Sequence, residues 1–132
     1  MTTRTARCAC GALRATCEGE PVRRSLCQCF SCQRRTGSAF SLNATWPDEQ
    51  VSIEGKSRVF ERSGEEGHWA RSHFCPACGT TLYWRIERQP GMTYVAVGCF
   101  ADPTFPVPEF AVYSERGRPW IRFETEPPLV QQ

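Results

Sequence analysis

Seven of the nine cysteines lie in three short clusters, a spacing that is typical of metal ligation. We call them the first cysteine pair (Cys8, Cys10), the cysteine triplet (Cys27, Cys29, Cys32) and the second cysteine pair (Cys75, Cys78). A zinc ion takes four ligands in a tetrahedron, and cysteine thiolates delivered as short pairs are among its usual ligands. Seven thiols therefore divide into a complete set of four and a set of three.

The second cysteine pair needs another pair to complete a tetrahedral site. The first cysteine pair is the simpler partner, because this choice leaves the cysteine triplet intact. A pairing with Cys27 and Cys29 stays open, since spacing along the chain does not decide which loops meet in the fold. Buried free thiols or a redox dithiol are a further reading of Cys75 and Cys78, which the presence of two other clusters disfavours.

The cysteine triplet would offer three thiolates to a second zinc and leave its fourth position for water or substrate, which is the arrangement of catalytic zinc sites. A closed site with His68 or His73 as the fourth ligand is the alternative. Iron–sulfur ligation is disfavoured, because the spacing of the triplet matches neither common ferredoxin pattern. An open, thiolate-rich zinc favours a soft ligand such as the sulfur of a small thiol.

Two arginines follow the triplet directly, and they are candidates for substrate binding. The guanidinium groups of Arg34 and Arg35 match the geometry of a carboxylate, so either one fits an anionic thiol. They would otherwise balance the charge of the thiolates or lie in solvent. His73 is more simply a hydrogen-bonded strand residue and His68 a surface residue, and the remaining cysteines, Cys17 and Cys99, fit small buried apolar positions.

Composition favours one ordinary globular domain. The chain has 132 residues, of which 40% are hydrophobic and 23% charged, and a formal net charge of +2. The small, dispersed charge argues against nucleic acid as a partner. No stretch is long and apolar enough to span a membrane, and residues 1–15 lack the core of a secretion signal. We expect a cytoplasmic protein whose cysteines stay reduced, with an oligomeric state that the sequence does not reveal.

The elements that position the clusters are expected to be short strands. Alternating apolar residues mark residues 38–46, with Phe40, Leu42, Ala44 and Trp46 on one face. The other expected strands are 4–8, 13–17, 22–26, 51–54 paired with 57–62, 69–74, 80–86, 93–98 and, as the last, 110–113. Residues 33–37 fit one helical turn closed by Gly37, residues 102–108 an extended loop, and the residues from Pro127 a loose tail. The fold class is mostly β.

The three clusters and their flanks resemble the glutathione-dependent formaldehyde-activating enzyme family, which also includes centromere protein V. The likeness rests on Cys8-x-Cys10-Gly11, on the triplet followed by Arg34-Arg35 and Gly37-Ser38-Ala39-Phe40, and on His73-Phe74-Cys75-x2-Cys78-Gly79-Thr80-x-Leu82-Tyr83. It covers most of the chain. The resemblance implies a single zinc-binding domain of this type over residues 1–132, with its core at about 4–120 and a loose C-terminal tail.

The resemblance implies a β-tent fold, in which antiparallel sheets are layered and cysteine knuckles bind zinc. It implies a structural zinc at the two cysteine pairs and a catalytic zinc at the cysteine triplet, of which the second need not be fully occupied. The implied activity is that of a carbon–sulfur lyase, S-(hydroxymethyl)glutathione synthase, whose partners are a small thiol such as glutathione and a small aldehyde, formaldehyde.

Gln28 stands between the first two cysteines of the triplet, where many relatives have histidine. A carboxamide does not carry a proton at neutral pH, so Gln28 is expected to contact substrate, together with Arg34 and Arg35, rather than to transfer protons. We therefore expect a zinc-dependent carbon–sulfur lyase-type enzyme acting on a thiol–aldehyde adduct. The alternative is a zinc domain without catalysis that binds a small thiol or a protein partner.

Overall fold

A computed structural model describes residues 2–64 and 66–124 and the backbone of Leu129–Val130. The strands are β1 (Thr3–Arg7), β2 (Arg14–Glu18), β3 (Arg23–Cys27), β4 (Ser41–Pro47), β5 (Val51–Glu54), β6 (Arg58–Ser63), β7 (Trp69–Phe74), β8 (Thr81–Ile86), β9 (Met92–Ala96), β10 (Phe110–Val112) and β11 (Leu129–Val130). One α-helix, α1 (Phe30–Thr36), and three short 3₁₀ helices, Asp48–Gln50, Val97–Phe100 and Ser114–Arg116, connect strands of this described part. The mostly β prediction is confirmed.

The strands form two sheets. A small antiparallel sheet has the order β1-β2-β5, and a large sheet has the order β11-β10-β3-β4-β9-β8-β7-β6. Pairing within the large sheet is antiparallel from β3 to β6, whereas β10 lies parallel to both β3 and β11. The layered, antiparallel architecture was predicted correctly, and the parallel pairing of β10 is the exception to it in the described strands.

The hydrophobic core brings the two sheets together. Small residues of the small sheet, Ala6, Ala15 and Cys17, are fully buried and cluster with Trp46 and Val95 of the large sheet. The Trp46 indole Nε1 donates a hydrogen bond of 2.9 Å to the carbonyl of Gly19, so its polar atom is satisfied in the interior. Small residues on one sheet facing a large aromatic residue on the other allow close packing of the layers.

One strand pairing expected from the sequence was wrong. Residues 51–54 and 58–63 are both strands, but β5 pairs with β2 in the small sheet and β6 pairs with β7 in the large sheet. Gly55 lies at the crossing, with a positive φ of 97°, and an added Cβ would lie 2.0 Å from the carbonyl oxygen of Ala12. The chain therefore changes sheets where two backbones approach too closely for any side chain.

The helix is longer than the predicted turn. Its C-terminus is as expected, because Gly37 has a φ of 65° and its N–H donates to the carbonyl of Gln33 at 2.8 Å. Its N-terminus lies earlier, at Phe30, where the Cys29 sulfur caps the helix by accepting the N–H of Cys32 at 3.3 Å. Cysteine is not among the usual capping residues, which are Ser, Thr, Asp and Asn, so no capping signal marks the start of this helix in the sequence.

The remaining expectations concern two cysteines, the last strand, the C-terminal tail and membrane-spanning segments. Cys17 is fully buried as predicted, while Cys99 is half-buried and lies in a 3₁₀ helix rather than a strand. Strand β11 follows β10, so residues 110–113 are not the last strand. The tail expected from Pro127 begins outside the described residues. The helices in the described part of the chain lack the length and apolar character that a membrane-spanning helix requires.

Replacement of Gly55 by alanine tests the crossing between the sheets. Gly67 is the matched control, since its φ of 84° is also positive but an added Cβ meets nothing within 4 Å. Gly67→Ala should lower the free energy of unfolding by roughly 1–2 kcal/mol through backbone strain alone. Gly55→Ala should lower it by a further 1–3 kcal/mol or so, because the Ala12 carbonyl must move. Denaturant unfolding at fixed metal content measures both, and equal losses would contradict the close approach.

Candidate metal and active site

The sulfur atoms of the two cysteine pairs converge on one point between the sheets. All four lie within 4.8 Å of one another, and the Sγ–Sγ distances are 3.7 Å for Cys8 to Cys10 and 3.7 Å for Cys10 to Cys75. Sulfurs bound to a tetrahedral zinc at about 2.3 Å would be roughly 3.8 Å apart. The spacing of the sulfurs therefore fits a single tetrahedral ion.

Two turns carry these sulfurs. The first cysteine pair follows β1 in the turn to β2, and the second lies in the turn between β7 and β8. Gly11 and Gly79 have positive φ values of 82° and 80° and close the two turns. The backbone N–H of Ala9 donates to the Thr80 hydroxyl at 3.1 Å, which joins one turn to the other. The four-sulfur site thus connects the small sheet to the large one.

The chemistry of the four sulfurs favours a bound cation. The hydroxyl and N–H of Thr80 lower the pKa of the Cys78 thiol to about 5, which makes it a thiolate at neutral pH. The N–H of Ala12 also favours the thiolate of Cys10, but the crowded thiols of Cys75 and Cys8 raise its pKa to about 11. So many sulfurs can all be ionised together only beside a positive ion.

The cysteine triplet forms a second group. Cys27 ends β3, Cys29 caps α1, and Cys32 lies in the first turn of that helix, with the three sulfurs within 4.8 Å of one another. Cys27 is buried, and the other two are half-buried. Among the described residues, no histidine, carboxylate or further cysteine joins this group. The triplet therefore offers three sulfur ligands to a metal ion, and no side chain in the described part of the chain supplies a fourth ligand.

Neither histidine lies in the triplet, so the structure does not support the closed-site alternative. The Nδ1 of His73 lies 2.9 Å from the Ser57 hydroxyl, and the ring stacks on Tyr83 at a centroid distance of 4.3 Å. This is the hydrogen-bonded strand position expected from the sequence. His68 is 46% exposed and lies 3.8 Å from Glu87.

Negative charge in the triplet concentrates on one sulfur. The thiols of Cys27 and Cys32, the N–H of Cys32 and the nearby positive charge of Arg62 lower the pKa of Cys29 to about 2. Hydrogen bonding to Cys29 correspondingly raises the pKa of Cys27. Cys29 is therefore a thiolate at any physiological pH, which is the form of cysteine that binds a soft metal ion.

The two predicted arginines occupy different environments. The Arg35 guanidinium stacks on the ring of Trp84 at 3.9 Å and donates to the Ser41 hydroxyl at 2.7 Å. Ser41 is the register partner of Cys27 in the neighbouring strand, so Arg35 is fixed beside the triplet. Arg34, by contrast, is exposed. Sequence reasoning missed Trp84 because it is far from the triplet along the chain, and Ser41 because its place beside Cys27 depends on the register of two strands.

Two buried glutamine side chains lie in the connection that carries the triplet. Gln28, predicted to contact substrate, is only 6% exposed, and its side chain packs against Gly117. Gln33 is 8% exposed, and its Nε2 donates to the carbonyls of Gln28 at 2.8 Å and Arg116 at 3.0 Å. Sequence analysis missed Gln33, although its position directly after Cys32 was a signal that could have drawn attention to it.

A cavity of about 430 Å³ lies beside the proline-rich loop. Its lining includes Arg24, Leu42, Asp102 and Phe105 together with Pro103, Pro106 and Pro108, but none of the seven clustered cysteines. Arg24 is already bound, because it donates to the carbonyl of Val107 at 2.8 Å and lies 3.3 Å from Glu109. The cavity is thus a feature separate from both sulfur groups.

A family model described as glutathione-dependent formaldehyde-activating enzyme matches residues 3–116. A Fusarium vanettenii protein is 30% identical over 115 residues, which cover 78% of this chain and 61% of that protein. A Colletotrichum graminicola protein is 28% identical over 115 residues, which cover 78% of this chain and 60% of that protein. Both are provisionally named glutathione-dependent formaldehyde-activating enzyme. This chain spans about 60% of their length.

A solved structure supports the fold. The crystal structure of a Rhodobacter sphaeroides protein superimposes with a TM-score of 0.55 at 20% identity, covering 72% of this chain and 85% of that one. At this level of identity the match concerns the course of the backbone only. The β architecture described above is therefore shared with an experimentally determined protein.

Serine replacements should separate the roles of the two sulfur groups. Cys75→Ser should lower the midpoint of thermal unfolding by at least about 10 °C, since it would remove a ligand from an ion held between the sheets by the four sulfurs. Cys29→Ser should lower it far less, because all ligands of the triplet lie in one local connection. Thermal unfolding with metal analysis of each variant measures this, and the reverse ranking would contradict the assignment.

Proposed function

Because the chain belongs to the glutathione-dependent formaldehyde-activating enzyme family, whose model matches residues 3–116, we propose that it is a zinc-dependent carbon–sulfur lyase-type enzyme. Its substrate would be an adduct between a small thiol such as glutathione and a small aldehyde such as formaldehyde. The observation that carries the proposal is the three-sulfur group without a fourth side-chain ligand among the described residues. Such a group is what a metal with a reactive open position requires.

Zinc would be held in two ways. The first and second cysteine pairs would enclose a structural ion, and the cysteine triplet would hold the second ion. When bound at the triplet, zinc supplies a Lewis acid and a partner for a substrate sulfur or oxygen. The nine cysteines are all free thiols, which fits a reducing compartment such as the cytoplasm, where glutathione is abundant in its thiol form.

The reaction requires little covalent chemistry from the protein. A thiol adds to the aldehyde carbon, so that a carbon–sulfur bond forms, the carbonyl π bond breaks, and the thiol proton ends on the new hydroxyl oxygen. The reverse cleaves the same bond. Gln28 does not titrate and lies buried, so we propose that this proton exchanges with solvent. The residues of the chain contribute chiefly by holding the thiol in place.

Arg35 would bind the charged part of the substrate. Its guanidinium is held by Trp84 and Ser41, so it needs little reorganisation to bind a carboxylate with two parallel hydrogen bonds. Arg62 adds positive charge near Cys29, which favours an anionic thiol at the triplet. Both positions support glutathione, with its two carboxylates, over a neutral thiol.

The enzyme activity is tested by measuring adduct formation from formaldehyde and a thiol above the spontaneous rate. The protein should accelerate the reaction with glutathione saturably, and Cys29→Ala should remove the acceleration. Cys99→Ala is the matched control, since this half-buried cysteine lies outside all three clusters, and it should keep the activity. Equal rates with and without protein would contradict the proposal, and saturable thiol binding without acceleration would indicate a binding domain instead.

The two neighbouring arginines provide a matched test of substrate binding. Arg35→Ala should raise KM for glutathione on the order of 10- to 100-fold, the value of a charge-assisted hydrogen-bonded contact. Arg35→Lys should be intermediate, because a lysine keeps the charge but loses the planar fork. Arg34→Ala should change KM less than about twofold, as expected for an exposed charge. Steady-state kinetics with 2-mercaptoethanol as neutral thiol completes the test, and equal effects of both alanine variants would count against Arg35.

A further inference from the structure

The connection that carries the cysteine triplet is attached to a distant part of the chain, which we call the closing segment (residues 112–118). Strand β10 runs parallel to β3, and Val112 is the register partner of Cys27. The N–H of Gln28 donates to the carbonyl of Val112 at 3.1 Å. The closing segment therefore begins beside the first ligand of the triplet.

The closing segment then turns back under the helix. Tyr113 adopts a left-handed conformation with a φ of 55°, and residues 114–116 form a 3₁₀ helix that ends at Gly117. This reversal brings the carbonyl of Arg116 within 3.0 Å of the Gln33 amide nitrogen. A non-glycine residue in the left-handed region is uncommon, so the surrounding contacts must hold the turn in place.

Gln33 is the centre of the attachment. Its Nε2 donates to the carbonyls of Gln28 and Arg116 at 2.8 and 3.0 Å, and its Oε1 accepts from the Arg118 guanidinium at 2.6 Å. A side-chain amide with both N–H groups and its oxygen bonded in the interior has one preferred orientation. Gln33 lies one residue after Cys32 and bonds the residue between Cys27 and Cys29. It therefore contacts the backbone that carries all three sulfurs.

Gly117 completes the contact through its lack of a side chain. An added Cβ at this position would lie 2.5 Å from Nε2 and 3.0 Å from Cδ of Gln28. The φ of Gly117 is −73°, which any residue adopts, so the glycine is required by space rather than by conformation. Gln28 is buried, and its amide has little room to move away from an added methyl group.

We propose that the closing segment sets the ligand geometry of the cysteine triplet, with Gln33 and Gly117 as positioning residues. This inference rests on the metal-binding role proposed for the triplet. Residues that orient metal ligands from behind typically change metal affinity 10- to 100-fold when replaced, without touching the ion. The hydrogen bonds of Gln33 join the closing segment to the connection that carries the triplet and do not involve the two cysteine pairs. The metal affinity of those pairs should therefore not depend on Gln33 or Gly117.

The first experiment adds one methyl group. Gly117→Ala should weaken metal binding at the triplet on the order of 10-fold or more and leave the four-sulfur site unchanged. Gly98→Ala is the matched control, because an added Cβ there meets nothing within 4 Å and its φ is not positive. Competition with a chelator, using zinc alone and no substrate, gives the affinity of each site in the two variants and the parent protein.

The second experiment changes the hydrogen bonds of Gln33. Gln33→Leu removes all three, whereas Gln33→Glu keeps the acceptor for Arg118 and loses the amide donors. Both variants should weaken the triplet site, and cobalt bound there should show altered thiolate-to-metal charge-transfer and ligand-field bands. A residue with only a general structural role would lower stability but leave the spectrum of the remaining bound cobalt unchanged.

The outcomes separate this inference from the proposed function. Suppose that the parent protein binds two ions, and that the variants Gly117→Ala and Gln33→Leu bind the ion at the triplet as tightly as the parent does and give the same cobalt spectrum. The inference is then overturned, while the enzyme proposal stands. If these variants lose affinity at the triplet alone, the inference is supported even should the parent protein lack lyase activity. A parent protein with a single metal site would overturn the inference together with the metal role of the triplet.

Discussion

The crowding of cysteine sulfurs is the constraint on which the rest of the structure depends. Four sulfurs from two sheets meet within 4.8 Å, as do three from one connection. Thiols so close to one another share protons and charge, since the hydrogen bond between Cys29 and Cys27 raises the pKa of Cys27 and lowers the pKa of Cys29. A cation removes the competition, because every sulfur then becomes an ionised ligand. Metal binding and folding of this chain are thus expected to be coupled.

The two sulfur groups differ in what they hold together. The four-sulfur group joins the turn after β1 to the turn between β7 and β8, which belong to different sheets. The cysteine triplet lies within one connection, from the end of β3 to the start of α1, and links no sheets. An ion at the first group would stabilise the packing of the two sheets, whereas an ion at the triplet would be available for chemistry. Of the two sulfur groups, the cysteine triplet is the one that has the guanidinium of Arg35 beside it.

Local features of this structure followed from the sequence, and long-range ones did not. The cysteine clusters, the cap at Gly37 and the hairpin strands around the second cysteine pair depend on residues near one another, so their spacing predicted them. The pairing of β5 with β2 depends on a backbone contact between Gly55 and Ala12. The alternation of apolar and polar residues along the chain does not indicate such a contact. The same holds for the contact of Gln33 with Arg116, since each residue is ordinary within its own segment.

The central claim is that the chain encloses one ion in four thiolates and presents another on three. Metal analysis of the purified protein by native mass spectrometry, combined with X-ray absorption at the zinc edge, tests it most directly. The account predicts two zinc ions per chain, one with four sulfur neighbours at about 2.3 Å and one with three sulfurs and a lighter atom. A protein without metal, or one whose single ion has four sulfur neighbours, would contradict it.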